Sequence, residues 1–172
     1  SIFSSLYNLT TLLLANNRIE KLEEVSFRKL KKLRILNLSS NKISFLEKSM
    51  FYGLENLKRL EISRNHLEFK ENTDSPFFHL KKLEHLLLND NPIKYLPKNL
   101  FSGLENLKIL NLHSISIERI EQYSFNGLKS LKKIYLDLQT SDHNLKFIDE
   151  NAFKHLKYLE PQLIEKVFNL KV

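Results

Sequence analysis

Between Leu33 and Leu57 the chain reads LRILNLSSNKISFLEKSMFYGLENL, with apolar residues at Leu33, Leu36, Leu38, Ile43, Leu46, Phe51 and Leu54. One polar residue, Asn41, holds a fixed place among them. The spacing is neither helical nor strictly alternating. Leu36 and Leu38 lie two apart, as in a short strand with one buried face, and the steps after Asn41 carry the chain round a turn and back. The same frame recurs from end to end. Its anchor leucines are Leu9, Leu33, Leu57, Leu83, Leu107, Leu131 and Leu159, at intervals of 24, 24, 26, 24, 24 and 28 residues. Phe3, Phe27, Phe51, Phe77, Phe101, Phe125 and Phe153 keep the same beat.

One copy cannot bury its own apolar edge, so copies must stack. The pattern predicts a curved solenoid of α/β type covering residues 1–172 as a single segment, about six repeats with partial copies at both ends. A parallel β-sheet of roughly six short strands, about 4.8 Å apart, forms its concave face. Irregular or short helical returns form the convex face. A phenylalanine at this period could anchor a ligand, but an unbroken beat fits a buried spine. Asn17, Asn41, Asn65 and Asn91 form a second ladder. An Asn side chain carries both donors and an acceptor, which suits it to pairing backbone groups buried at the turn leaving each strand. These asparagines read as structural.

Two repeats depart from the frame. EFKENTDSP adds two residues between Asn65 and Phe77, which predicts a small polar bulge on the return. Later the ladder is lost: Ile115 takes the Asn position in LKILNLHSISI, and the sixth repeat, LKKIYLDLQTSDHNLKFI, carries four extra residues between Leu136 and His143. The insert DLQTSD, 137–142, is expected to leave the sheet as an irregular loop beside the concave face. Residues 160–172, beginning just before Pro161, read as a terminal helix, a cap or a hinge. A start inside a repeat, with no cysteine cap, suggests a segment of a longer ectodomain.

Composition narrows the classes. There is no Cys, hence no disulfide or thiol chemistry. No apolar run approaches the ~20 residues of a membrane-spanning helix, and no signal peptide is present. The three glycines, Gly53, Gly103 and Gly127, share one slot, F-x-G-L. Lys and Arg number 27 against 20 Asp and Glu, a net charge of +7. That balance permits weak polyanion contact through lysines. Nucleic-acid binding, however, usually adds a clustered basic patch with stacking aromatics. Here the lysines are spread through the repeats, many just before a strand, so nucleic acid is not expected and a solvated flank is. His85 and His113 with Asp90 lack the close spacing of a zinc set. No nucleophile with a base, and no phosphate-cradling Gly-rich loop, is evident. Neither an enzyme nor a cofactor is implied.

The frame L-x-x-L-x-L-x-x-N-x-L is the leucine-rich-repeat pattern. With its F-x-x-L-x-x-L return at a period of 24 it resembles the typical class of animal extracellular leucine-rich repeat proteins: Toll-type receptors, matrix proteoglycans, guidance and adhesion proteins, and leucine-rich-repeat G-protein-coupled receptors. That resemblance covers essentially the whole chain and implies a leucine-rich repeat horseshoe. NPIKYLPKNLF, LNLHSISIERIEQYSF and LKKIYLDLQ further resemble the last repeats of relaxin-type receptors, where a late repeat also exchanges its Asn for Ile. That family meets its hormone with paired acidic residues on the concave face. The same columns here hold Arg59 with Glu61 and His85 with Leu87, and its hinge cysteines are absent, so those contacts do not carry over.

On each strand the residues flanking the buried leucine point outward. Charge and aromatic character concentrate in repeats three to six, and the candidate partner contacts are Arg59, Glu61, Arg64, His85, Asp90, His113, Tyr135 and Asp137. Arg and Tyr are among the side chains that dominate interface energies. The bland alternative is a solvated face with the true contact elsewhere on the ectodomain. Asn8 and Asn37 head N-glycosylation sequons. A glycan on Asn37 would obstruct the face and push binding towards the later repeats. The leading function is a protein- or peptide-binding region of an extracellular receptor coupled to transmembrane signalling. A secreted matrix or adhesion protein and an intracellular scaffold are the alternatives.

Overall fold

In the computed structural model, residues 3, 5–24, 26–136 and 145–160 are described. Six strands of three residues each form one parallel sheet: β1 (Thr11–Leu13), β2 (Ile35–Asn37), β3 (Arg59–Glu61), β4 (His85–Leu87), β5 (Ile109–Asn111) and β7 (Lys133–Tyr135). The register runs as the repeat dictates, Leu12 opposite Leu36, Leu36 opposite Leu60, Leu60 opposite Leu86, Leu86 opposite Leu110, and Leu110 opposite Ile134. These central residues point inward, and all but Leu12 are buried. The chain is a parallel-strand β-solenoid. Its returns are irregular: among the described residues they are turns with one pair of two-residue strands, and no helix is present. None is therefore long and apolar enough to cross a membrane.

Two ladders hold the coil together. Phe27, Phe51, Phe77, Phe101 and Phe125 are fully buried. Neighbouring rings stack, with centroids 6.1 Å apart for Phe3 and Phe27, 6.5 Å for Phe27 and Phe51, and 6.2 Å for Phe51 and Phe77. Asn65 shows the second ladder at work. Its Oδ1 accepts from Ile43 N–H in the preceding repeat at 3.0 Å, and its Nδ2 lies 3.0–3.2 Å from the carbonyl oxygens of Leu38, Ile62 and Ser63. Asn41 and Asn91 repeat the arrangement, accepting from Ile19 and Leu67 N–H. Asn17, in the first described strand's repeat, donates to Leu14 and Ala15 carbonyls. The residue before each ladder position is left-handed, with φ between 53° and 58° at Asn16, Ser40, Arg64, Asp90 and Ser114. A recurrent value of this kind is a property of the repeat, so it does not mark Arg64 or Asp90 as functional.

Where Ile115 breaks the ladder, the structure answers locally. The N–H of Ile93, which a side chain at 115 would otherwise receive, turns back to Asn91 O at 2.8 Å. The return of the same repeat forms β6 (Arg119–Ile120), which pairs in parallel with β8 (Phe147–Ile148). This second, two-stranded sheet is not foreseen by the repeat pattern. The bulge after Asn65 does appear: Thr73 Oγ1 accepts from Lys70 N–H at 2.9 Å. It is tied to the next repeat through Ser75, whose hydroxyl reaches Leu100 O at 2.7 Å and Ser102 O at 2.9 Å. The expected loop at 137–142, the ladder position His143 and the chain end at 161–172 lie outside the described residues.

Candidate functional site

The outward residues of the sheet form a patterned face. Repeats one and two contribute Thr11, Leu13, Ile35 and Asn37, which are small or neutral. From β3 onward the chemistry sharpens. Arg59 Nε donates to Glu61 Oε1 on the same strand, and Asn37 Nδ2 donates to Glu61 Oε2 at 2.9 Å. The Arg59 guanidinium lies 3.1 Å from His85 Nδ1 on β4. Four side chains on three strands are thus linked in one chain, Asn37–Glu61–Arg59–His85. Burial, and then the neighbouring Arg59 charge, hold the His85 pKa below its ordinary value. Neutral imidazole can accept a hydrogen bond from the guanidinium N–H through Nδ1, which fits this pairing.

A second cluster sits at the turn leaving the strands. Ser63 Oγ donates to Asn89 Oδ1 at 2.6 Å, Asn89 Nδ2 donates to Asp90 Oδ2 at 2.6 Å, and Arg64 Nε lies 3.6 Å from the same oxygen. Ser63 and Asn89 join this cluster although the charge pattern did not single them out. Their signal was positional, because they occupy the column between the strand and the left-handed residue. His113 is exposed on the neighbouring turn, with its N–H donating to Asn111 Oδ1 at 3.0 Å. Tyr135 ends β7 and is 47% exposed. Asp137 lies outside the described residues. The structure therefore joins Arg59, Glu61 and His85, pairs Arg64 with Asp90, and leaves His113 and Tyr135 farther along the sheet.

Charges on this face cancel in pairs. A partner would be selected by the pattern of donors, acceptors and rings, not by net charge. Of the sequons, Asn8 is exposed and accepts from Lys32 Nζ at 2.8 Å. Asn37 is half-buried and engaged with Glu61, so a glycan there would compete with the linked chain. Among the described residues no cluster of three His, Asp or Glu could hold a metal.

The basic excess lies on the flank where returns re-enter the strands. Lysines there meet acids one repeat away: Lys31 with Glu55 at 3.3 Å, and Lys129 with Glu105 at 3.1 Å. Glu84 sits between Lys58 and Lys108, at 2.8 and 2.6 Å. Hydrogen bonds from Lys108 and then Lys58 hold its pKa down, from 4.5 to about 2. A carboxylate with a depressed pKa stabilises the fold above its unfolded value, and that contribution is lost as pH falls towards the folded one. Glu84→Gln should cost about 1 kcal/mol at neutral pH, after discounting for solvent screening. The gap from the native chain should close between about pH 4.5 and pH 2, read from urea midpoints.

On the return side, Glu71, Asp74, Tyr95, Lys98, Glu121 and Tyr123 line an open groove of about 590 Å³ beside the bulge. Burial, with Glu71 and Glu121 adding, pushes the Tyr95 hydroxyl pKa up. Lys98 Nζ stands 4.8 Å over the Tyr123 ring, a cation that the groove's own lining supplies.

Residues 7–67, 81–140 and 105–161 match the family model described as leucine rich repeat. Over 92% of its length the chain superposes on the receptor chain of the TLR13–ssRNA13 crystal structure, with 28% identity and a TM-score of 0.67. It superposes equally far on Toll in the Toll–Spatzle complex of Drosophila, with 23% identity and a TM-score of 0.77, a likeness of fold. It spans 25% and 20% of those chains respectively. No curated protein matches. The repeat frame, the two ladders and the match over most of the chain agree: this chain belongs to the leucine rich repeat family.

Proposed function

We propose that this chain is a partner-binding segment of a receptor ectodomain, facing the extracellular space or an endosomal lumen. It takes a protein or peptide on the open sheet face of repeats three to six, and the parent protein couples that event to transmembrane signalling. The observation that carries this reading is the linked chain Asn37–Glu61–Arg59–His85, a pre-ordered set of polar groups on strands whose inward residues already satisfy the fold. Pre-ordering reduces the entropy lost on binding. Residues 1–172 act as one segment, and its work is recognition, with no enzymatic step.

In this reading the sheet is the concave side of a bent stack. Spine rings from Phe3 to Phe77 stand 6.1–6.5 Å apart with planes turned by 10–13°. Paired strands lie only ~4.8 Å apart. Wider spacing on the return side bends the coil towards the sheet.

Nucleic acid is a second partner class. The spread of lysines set it aside at first, and that exclusion is not kept, because the relative at 28% identity is in complex with ssRNA13.

Secretory expression should place a glycan on exposed Asn8, read as added mass at that residue; a bare asparagine would count against the lumenal reading. For a protein partner isolated with the full chain, Glu61→Arg should weaken affinity at least about tenfold, by breaking two hydrogen bonds and setting two arginines side by side. Unchanged affinity would move the contact off the sheet face.

A further inference from the structure

The column after the spine phenylalanines holds a different surface. Tyr52 and Phe78 follow Phe51 and Phe77, and they are 41% and 40% exposed. The His79 ring stands edge-on to both, 5.3 Å from Tyr52 and 5.5 Å from Phe78. Four cations surround this aromatic group. Lys81 Nζ lies 3.9 Å and Lys48 Nζ 5.7 Å from the Phe78 centroid. Arg28 Cζ and Lys31 Nζ each lie 5.6 Å from that of Tyr52. Two acids approach, Glu55 at 3.3 Å from Lys31 and Asp74 at 3.4 Å from Lys48, both in exposed pairs of small worth. The local balance stays positive.

The backbone under this surface is fixed. Gly53 and Gly103 have φ of 98° and 95°, and a Cβ on them would stand 2.6 Å from Arg28 O and 2.5 Å from Phe78 O. The returns therefore touch backbone to backbone where Arg28 and Phe78 project.

We propose that this surface is a docking site for single-stranded nucleic acid, separate from whatever the open sheet face binds. Exposed rings interleaved with cations are what an unpaired strand uses: bases stack on rings while phosphates meet the ammonium and guanidinium groups. A duplex has its bases already stacked and can use only the charges. An acidic peptide likewise gains little from the rings. Both outer rings lie within 5.5 Å of His79, giving a footprint of roughly two or three nucleotides at ~3.4 Å per stacked base. Lys81, held over Phe78, moves from ring face to phosphate as a base takes its place.

The test is anisotropy of a labelled twelve-nucleotide oligouridylate with the full chain at several salt concentrations. Affinity should fall with salt at a log–log slope of about −2 to −3, as for three or four neutralised phosphates. Tyr52→Ser and Phe78→Ser should each weaken binding about tenfold. Lys81→Glu and Arg28→Glu leave the apolar packing in place and should also weaken it about tenfold, which keeps the test decisive if a ring variant unfolds. Tyr158→Ala, at an exposed ring of the last repeat, should leave affinity within about twofold. Any of three results would overturn the proposal: a duplex of equal length or a poly-glutamate peptide binding as tightly, folded ring variants binding like the native chain, or Tyr158→Ala weakening binding as much as they do.

Discussion

Phe51→Ala should lower stability by about 3–5 kcal/mol, the largest effect expected of any single substitution in this chain. The ring is fully buried and stacks on Phe27 at 6.5 Å and on Phe77 at 6.2 Å. Removing it leaves a cavity between three repeats, and each repeat owes its stability to its neighbours. A chain of this size should then melt on the order of 10 °C lower. Thermal unfolding of the full chain reads this directly. A melting temperature within about 2 °C of the native chain would mean that the spine is not the structural axis.

Asn65→Ala should follow, at about 2–4 kcal/mol. The substitution strands Ile43 N–H and removes a donor from three carbonyls, in a site where Asn65 is itself buried. A buried polar group left without a partner costs about 1–3 kcal/mol. The fifth repeat shows what limits the figure. Around Ile115 the N–H of Ile93 finds Asn91 O instead, and the Ile side chain fills the space. Alanine lacks that bulk, so rerouting alone does not restore Asn65. The contrast is Asn17→Ala, where the partners are local and the residue is exposed, and the cost should stay below about 1 kcal/mol. Equal urea midpoints for the Asn65 and Asn17 variants would contradict the ladder.

Much of this architecture is legible from spacing alone. Leu and Phe recur on one beat, and a parallel sheet built on it has only one register that keeps Leu36, Leu60 and Leu86 inside. The bulge at Ser75 and the loss of the ladder at Ile115 are equally visible as breaks in the count. What spacing does not carry is pairing through side-chain conformation. Arg59 reaches His85 across 26 residues, and Lys58 and Lys108 close on Glu84 from either side. The β6–β8 pair escaped for another reason. Its strands of two residues are too short for any periodicity to register.

The aromatic and basic surface shows the same limit more sharply. Arg28, Lys48, Tyr52 and Phe78 lie dispersed in the sequence, so the lysines look evenly spread. A coil with a period near 24 residues brings residues one turn apart side by side, and even spacing along the chain becomes clustering on the surface. The residues flanking each strand draw attention because a sheet face is an obvious place for a partner. The column after each spine phenylalanine carries as much chemistry.

We propose a division of labour in which the inward ladders hold the coil and the outward chain Asn37–Glu61–Arg59–His85 serves recognition. The most direct test is the urea unfolding free energy of the full chain carrying Arg59→Ala, Glu61→Ala and His85→Ala together. Half-exposed polar groups in mutual contact contribute little to stability, so the triple variant should lie within about 1 kcal/mol of the native chain. A loss of about 3 kcal/mol or more, comparable to Phe51→Ala, would make the linked chain a structural clamp and contradict its assignment as a recognition surface.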